Sequence, residues 1–231
     1  MKSLSMWAVA GAIVTTCMLA STSRAAAPLR VLIIDGQNNH NWAAMTPPMK
    51  ATLESTGRFT VDVATTPPAK SDKEAWDKFR PDFSKYDVVL SNYNGEPWPE
   101  SVNKSLVAYV SGGGGLVIIH AANNAFPNWD EFNKMIGLGW RGADFGDRVT
   151  LDDSGKVVRT PKGQGDGAGH GPQHEFKVVI RDGEHPVTKG MPKEWLHAKD
   201  ELYHGQRGPA EDMHILATAY SAKDKGGTRR P

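Results

Sequence analysis

Cysteine is almost absent from this sequence: among 231 residues there is one, Cys17. It lies in an N-terminal stretch that reads as a removable leader. A mature chain without it can form no disulfide, no thiolate metal site and no cysteine nucleophile. An excess of charge of either sign is also missing. The 27 Lys and Arg against 26 Asp and Glu leave a formal charge of +1, with the two signs interspersed. Nothing here favours nucleic acid or an anionic membrane over an uncharged small molecule. Long apolar runs are confined to residues 6–20, too short for the roughly 20 residues a spanning helix needs. No internal repeat is present.

That apolar run completes a secretory pattern. Lys2 supplies the positive start, and Ser23, Arg24 and Ala25 form a small-x-small junction before Ala26. The expectation is a signal peptide over residues 1–25, a periplasmic or secreted mature protein, and no stable membrane association after cleavage. The remaining chain, 26–231, suits one large α/β domain. Its oligomeric state is left open. The seven Trp and 24 Gly suggest the loops and stacking surfaces of a carbohydrate cleft.

The most telling segment runs from Gly112 to Ala122. Four glycines are followed by Leu116, Val117, Ile118 and Ile119, then by His120 and two alanines. A short, β-branched, glycine-bounded run reads as a strand buried on both faces of a parallel sheet. His120 then stands at its carboxyl end, where open α/β sheets bind ligands. Further strands are expected at residues 30–35, 59–64, 86–91, 176–180 and 215–219, with helices at 47–55 and 100–111. Strands alternating with helices imply a doubly wound, mostly parallel sheet with helices on both faces. Residues 139–174 are glycine-rich and poor in apolar residues, which predicts a long loop.

Function should therefore collect on the loops after Asp35, Ser91 and Ile119. These carry His40 and Trp42, then Asn92 and Trp98, then His120, Asn123 and Asn124. Later in the chain His170, His174 and Glu175 gather two imidazoles and a carboxylate within six residues. Imidazole with carboxylate is a donor set for a divalent metal ion. His185, beside Pro186, reads as a turn-capping residue. Asp200, Glu201 and Tyr203 offer an acid, a base and a phenolic hydrogen bond.

Taken in order, these motifs resemble one family. Leu-Val-Ile-Ile-His-Ala-Ala-Asn-Asn-Ala-Phe, then His-Gly-x-x-His-Glu-Phe, then His-Pro-Val-Thr-x-Gly-Met-Pro and Asp-Glu-Leu-Tyr are similar to the ThuA-like, or trehalose-utilisation, proteins. The similarity runs from Arg30 to the end. It implies the flavodoxin-related fold of class I glutamine amidotransferases. Those enzymes place a cysteine nucleophile after the strand that here ends in His120, and an imidazole cannot form the thioester of glutamine hydrolysis. Glutaminase activity is therefore excluded despite the fold.

The resemblance instead implies oxidised sugars, in particular 3-keto-glycosides and 3-keto-disaccharides. An isomerase, lyase or hydrolase for them needs a base beside the ketone and an electrophile for the enolate oxygen. His120, Glu175 and Glu201 are the candidate bases. His40, Trp42, Asn92, Trp98, Asn123, Asn124, Tyr203 and Arg207 are the candidate substrate-binding residues, and His40, His120 and His174 the candidate ligands of a divalent ion. A non-catalytic carbohydrate-binding module is the alternative. Family members continue beyond the segment that ends here at Pro231, so the resemblance also implies a domain incomplete at its C-terminus.

Overall fold

Strand β1 (Leu29–Asp35) is the axis of the molecule, and its sequence explains why. Five consecutive residues, Val31 to Asp35, are buried, as expected of a strand covered on both faces. The computed structural model describes residues 27–152 and 154–225, so the expected signal peptide lies outside the described residues. After β1 the chain forms α1 (Trp42–Ser55), β2 (Phe59–Thr65), α2 (Lys73–Lys78), β3 (Val88–Ser91), α3 (Glu100–Ser111), β4 (Gly115–Ile118) and α4 (Asp130–Ile136). The four strands make a parallel sheet in the order β2-β1-β3-β4. β1 thus lies between β2 and β3, which run beside it in register from Leu29↔Phe59 and Val31↔Val88.

Alternation along the strands divides the core in two. Leu32, Ile34 and Val89 point into a cluster with Phe79, Phe83, Val102, Leu106 and Phe132. Val31, Ile33 and Leu90 point the other way, onto Val61 and, from α1, Met49 and Leu53. Helices therefore cover both faces, and the doubly wound α/β reading holds. α3 occupies the residues its spacing predicts, with Val102 and Leu106 buried on one face.

Helix α1 begins five residues earlier than the prolines suggest. The side chain of Asn41 accepts a hydrogen bond from the Ala44 N–H, and this cap fixes the start. Pro47 and Pro48 then fall inside the helix, where they remove the partners of the Ala43 and Ala44 carbonyls. Both alanines are exposed, so water can serve those carbonyls.

The second half of the chain is built differently. It contains β5 (Arg148–Leu151), β6 (Val157–Thr160), β7 (Gly169–His170), β8 (His174–Ile180), β9 (Glu194–Asp200), β10 (Tyr203–His204) and β11 (Ala217–Ala219). These pair antiparallel, as β5 with β6, β7 with β10, and a three-stranded sheet β11-β8-β9. The expected loop over residues 139–174 is thus a correction: it holds a hairpin and the β7 strand. Its side chains do not form an apolar core of the kind that composition reveals. Arg207, fully buried, occupies that place. Its guanidinium donates to the carbonyls of Gly146, Thr160, Pro161, Gln164 and Asp166. Among the described residues no helix is long and apolar enough to cross a membrane.

Candidate functional site

The first three loops converge at the carboxyl edge of the parallel sheet, and asparagines stitch them together. Asn38 Nδ2 donates to the Asn92 carbonyl at 3.2 Å, and Asn38 Oδ1 accepts from the His40 N–H at 2.9 Å. Asn94 Nδ2 donates to the Ala121 carbonyl at 2.9 Å. Asn92 is itself fully buried and donates to Thr46 Oγ1 at 3.3 Å. It is a fastener between β3 and α1 rather than a surface for substrate. Gly95 packs so closely on Gln37 that a Cβ would collide with it.

His120 sits one residue after the last ladder bond of this edge, Ile119 N–H to the Ser91 carbonyl at 3.0 Å. Its φ is +43°, in the left-handed region that costs a non-glycine residue about 1–3 kcal/mol. Strain of this kind persists where the surroundings impose it. The short 3-10 turn His120–Asn124 that follows is gripped by Arg141. That side chain donates to the carbonyls of Asn123, Asn124, Ala125 and Trp140 and to Asn133 Oδ1. Burial pushes the Arg141 guanidinium down to about 10. No run of like residues marks Arg141 in the sequence; only a lone arginine amid glycines could have drawn attention to it.

The centre of the site is Glu201, from the turn between β9 and β10. Its Oε2 lies 3.4 Å from His120 Nε2, 3.9 Å from His40 Nε2 and 3.9 Å from His170 Nε2. The His40 and His120 rings are 4.7 Å apart, and Tyr203 packs on His120 at 4.3 Å. Burial, then the neighbouring His40, lowers the His120 pKa against the opposing pull of Glu201 and Asp200. Burial and the same two carboxylates raise Tyr203 to about 12, so its phenol stays protonated. His170 Nδ1 meets the Gly171 carbonyl at 2.8 Å. A carbonyl only accepts, so Nδ1 carries a proton and the ring is held with Nε2 turned toward Glu201.

One ligand atom each from His40, His120 and Glu201 all lie within 4.8 Å of one another. His40 Nε2 is buried and has no hydrogen-bond partner among the described residues. Two imidazoles and a carboxylate form a donor set that suits a divalent ion.

The other expected site residues lie elsewhere. His174 opens β8 with its Nδ1 2.9 Å from the Pro172 carbonyl; His170, four residues earlier, takes its place in the cluster. Glu175 is exposed on β8 and is not among the groups around Glu201. Trp98 is buried in the core against Phe79, Tyr93 and Phe126, and no face of it remains for a sugar. Arg207 is committed to the carbonyls named above. Trp42 is the half-buried first residue of α1. Asn123 and Asn124 lie in the 3-10 turn, each with a buried Oδ1 that has no hydrogen-bond partner among the described residues. The sequence reading passed over Trp140, whose ring meets Tyr203 at 4.6 Å and His170 at 5.7 Å.

The family model for trehalose utilisation, ThuA, matches residues 30–231. The chain belongs to the ThuA family. A ThuA-like protein from Parabacteroides merdae ATCC 43184 is 46% identical, with a TM-score of 0.82 over 88% of this chain and 72% of that one. A second ThuA-like protein, from Bacteroides uniformis ATCC 8492, is 21% identical with a TM-score of 0.54, over 85% of this chain and 70% of that one. That likeness shows the shared fold. No curated protein matches the sequence. The strained histidine, the glycine-flanked strand before it and the carboxylate that meets it thus belong to a ThuA chain, whose family description is carbohydrate-related.

Proposed function

We propose that this ThuA-family protein acts on an oxidised sugar, a 3-keto-glycoside or 3-keto-disaccharide, by removing a proton from the carbon beside the ketone. The carrying observation is one carboxylate, Glu201, faced by three imidazoles at the ligand-binding edge of the sheet. Glu201 takes the proton, and the C–H electron pair forms the enolate double bond while the carbonyl pair moves onto oxygen. For isomerisation Tyr203 protonates the enolate oxygen while His120, 3.4 Å from the carboxylate, takes the hydroxyl proton of the adjacent carbon as the new ketone forms there. His120 returns that proton to Tyr203, and Glu201 delivers its own to the former carbonyl carbon. If a substituent leaves from the β-carbon instead, the same enolate gives elimination. The protonated phenol of Tyr203, packed on His120, is suited to donate to the enolate oxygen.

A second reading has its own observation, the mutual approach of His40, His120 and Glu201 within 4.8 Å. Here the three are ligands, and a divalent ion when bound would polarise the ketone oxygen. The leader-like residues 1–25 support an exported site of action, which a mature N-terminus near Ala26 by mass spectrometry would check.

The test is turnover of a 3-keto-glycoside, with metal content measured on the same samples. Glu201→Gln and His120→Ala should each reduce turnover by about 10²–10⁴-fold, the range for removing a positioned acid or base. Loss of turnover at constant metal content supports the proton-transfer roles. Metal and activity falling together support ligation. Unchanged turnover and metal content in folded variants would overturn both readings.

A further inference from the structure

Trp140 stands apart from the tryptophans of the core. Trp98, Trp76 and Trp129 belong to the apolar cluster beneath the sheet, whereas the ring neighbours of Trp140 are Tyr203 and His170. Both neighbours border the Glu201 carboxylate: His170 through its Nε2 at 3.9 Å, and Tyr203 through His120, on which it packs at 4.3 Å. The His170 and Tyr203 rings are themselves near-parallel, 18° apart in plane at 5.8 Å. The result is an aromatic corner beside a polar centre.

The backbone beneath that corner is anchored. The Trp140 N–H donates to the Asn123 carbonyl at 3.3 Å, and its own carbonyl accepts from Arg141 Nη1 at 3.0 Å. The same guanidinium holds Asn123, Asn124 and Ala125, so the Trp140 backbone is tied to the very turn that begins with His120. Trp140 is only half-buried. A large apolar ring packed beside titratable groups suits a ligand that is polar at its rim and apolar on one face.

We infer that Trp140 is the platform for the ring of a closed pyranosyl unit, which lays its C–H face on the indole while its hydroxyls face the histidine and asparagine side. This rests on the carbohydrate ligand of the proposed function but not on the proton-transfer step. It makes Trp140 a specificity-determining residue that favours cyclic over open-chain sugars.

The experiment is calorimetric binding to the full chain of two unreactive probes, methyl β-D-glucopyranoside and sorbitol. The glucoside should bind more tightly than the polyol. Trp140→Ala should weaken the glucoside by about tenfold, the scale of one aromatic contact, and leave sorbitol unchanged. Trp140→Phe should keep most of the preference and guards against misfolding of the alanine variant. Equal weakening of both probes, or no weakening of either, with a folded variant would overturn the inference alone. Failure of the wild-type chain to bind the glucoside would overturn the inference and the carbohydrate reading together. Glucoside binding that needs Trp140, without turnover of a keto-glycoside, would support the inference and remove the proton-transfer reading.

Discussion

The two halves of the chain hold themselves together by different physics. Up to α4, the interior is apolar and sorted by strand alternation, with Leu32, Ile34 and Val89 on one side and Val31, Ile33 and Leu90 on the other. Beyond α4, two buried arginines do the organising. Arg207 gathers carbonyls from residues 146–166, and Arg141 ties the start of that region to the turn after His120. Neither arginine has a carboxylate partner in those contacts; each is satisfied by neutral oxygens. The candidate site forms at the seam, with His40 and His120 from the apolar half and His170, Glu201 and Tyr203 from the polar half. The lesson is that the sheet supplies fixed edges, while the second half supplies the charge that meets them.

Paired substitutions would break that comparison if it is wrong. Leu106 is 1% exposed in the apolar half, and Leu106→Ala should cost about 2–5 kcal/mol through lost transfer energy and a cavity. Arg207→Met keeps the volume but takes the donor from five carbonyls of the polar half. A cost of about 1–3 kcal/mol is expected, since the carbonyls of half-buried Gly146 and Thr160 lose a donor while water can serve those of exposed Pro161, Gln164 and Asp166. Urea midpoints report both. A near-neutral Arg207→Met would mean that packing, and not carbonyl capture, holds the second half. A further contrast should appear in ligand binding, which Arg207→Met should weaken and Leu106→Ala should leave intact in the folded fraction.

What the sequence made legible follows the same division. β1, β3 and β4 could be read because short continuous apolar runs mark strands, and α3 because its apolar residues recur on one helical face. The expectation that β4 is buried on both faces is corrected, since it is the edge strand of the described sheet and Val117 is exposed. The position of His120 followed, since its strand ends at a definite residue. Residues 139–174 look like a loop in the sequence because their organiser is a single arginine, Arg207, more than thirty residues further on. Hydrogen bonds to backbone carbonyls are blind to side-chain identity and leave no periodic trace. Glu201 and Tyr203 were visible as chemistry but not as neighbours of His120. His170 and His174 offer the same imidazole in the sequence, and only the β7–β10 pairing, which sets His170 opposite Tyr203, separates them. Trp98 and Trp140 illustrate the same limit: composition counts tryptophans, and only packing divides them between core and cleft.

The smallest expected effect lies at the seam itself, in the titration of His120. Burial and His40 lower its pKa, and Glu201 and Asp200 oppose them from across the site. Each half of the molecule therefore pulls the imidazole in a different direction. In an NMR titration, His40→Gln should raise the His120 pKa by removing the neighbouring imidazole that lowers it, and Glu201→Gln should lower it further by removing the carboxylate that opposes this. Shifts of the same sign in both variants would mean that burial, not the two neighbours, governs the site. Stability carries the matching sign. A histidine whose folded pKa lies below its unfolded value binds fewer protons when folded, so stability rises with pH between the lowered value and the ordinary one near 6.5. Below that window both states are protonated and the loss is complete; above it neither is, and the loss vanishes. The Tm of the wild-type chain should accordingly climb across this window, and His120→Gln should flatten that part of the climb. A Tm profile identical in the two proteins would show that His120 titrates alike in the folded and unfolded chains, and that the seam does not perturb it.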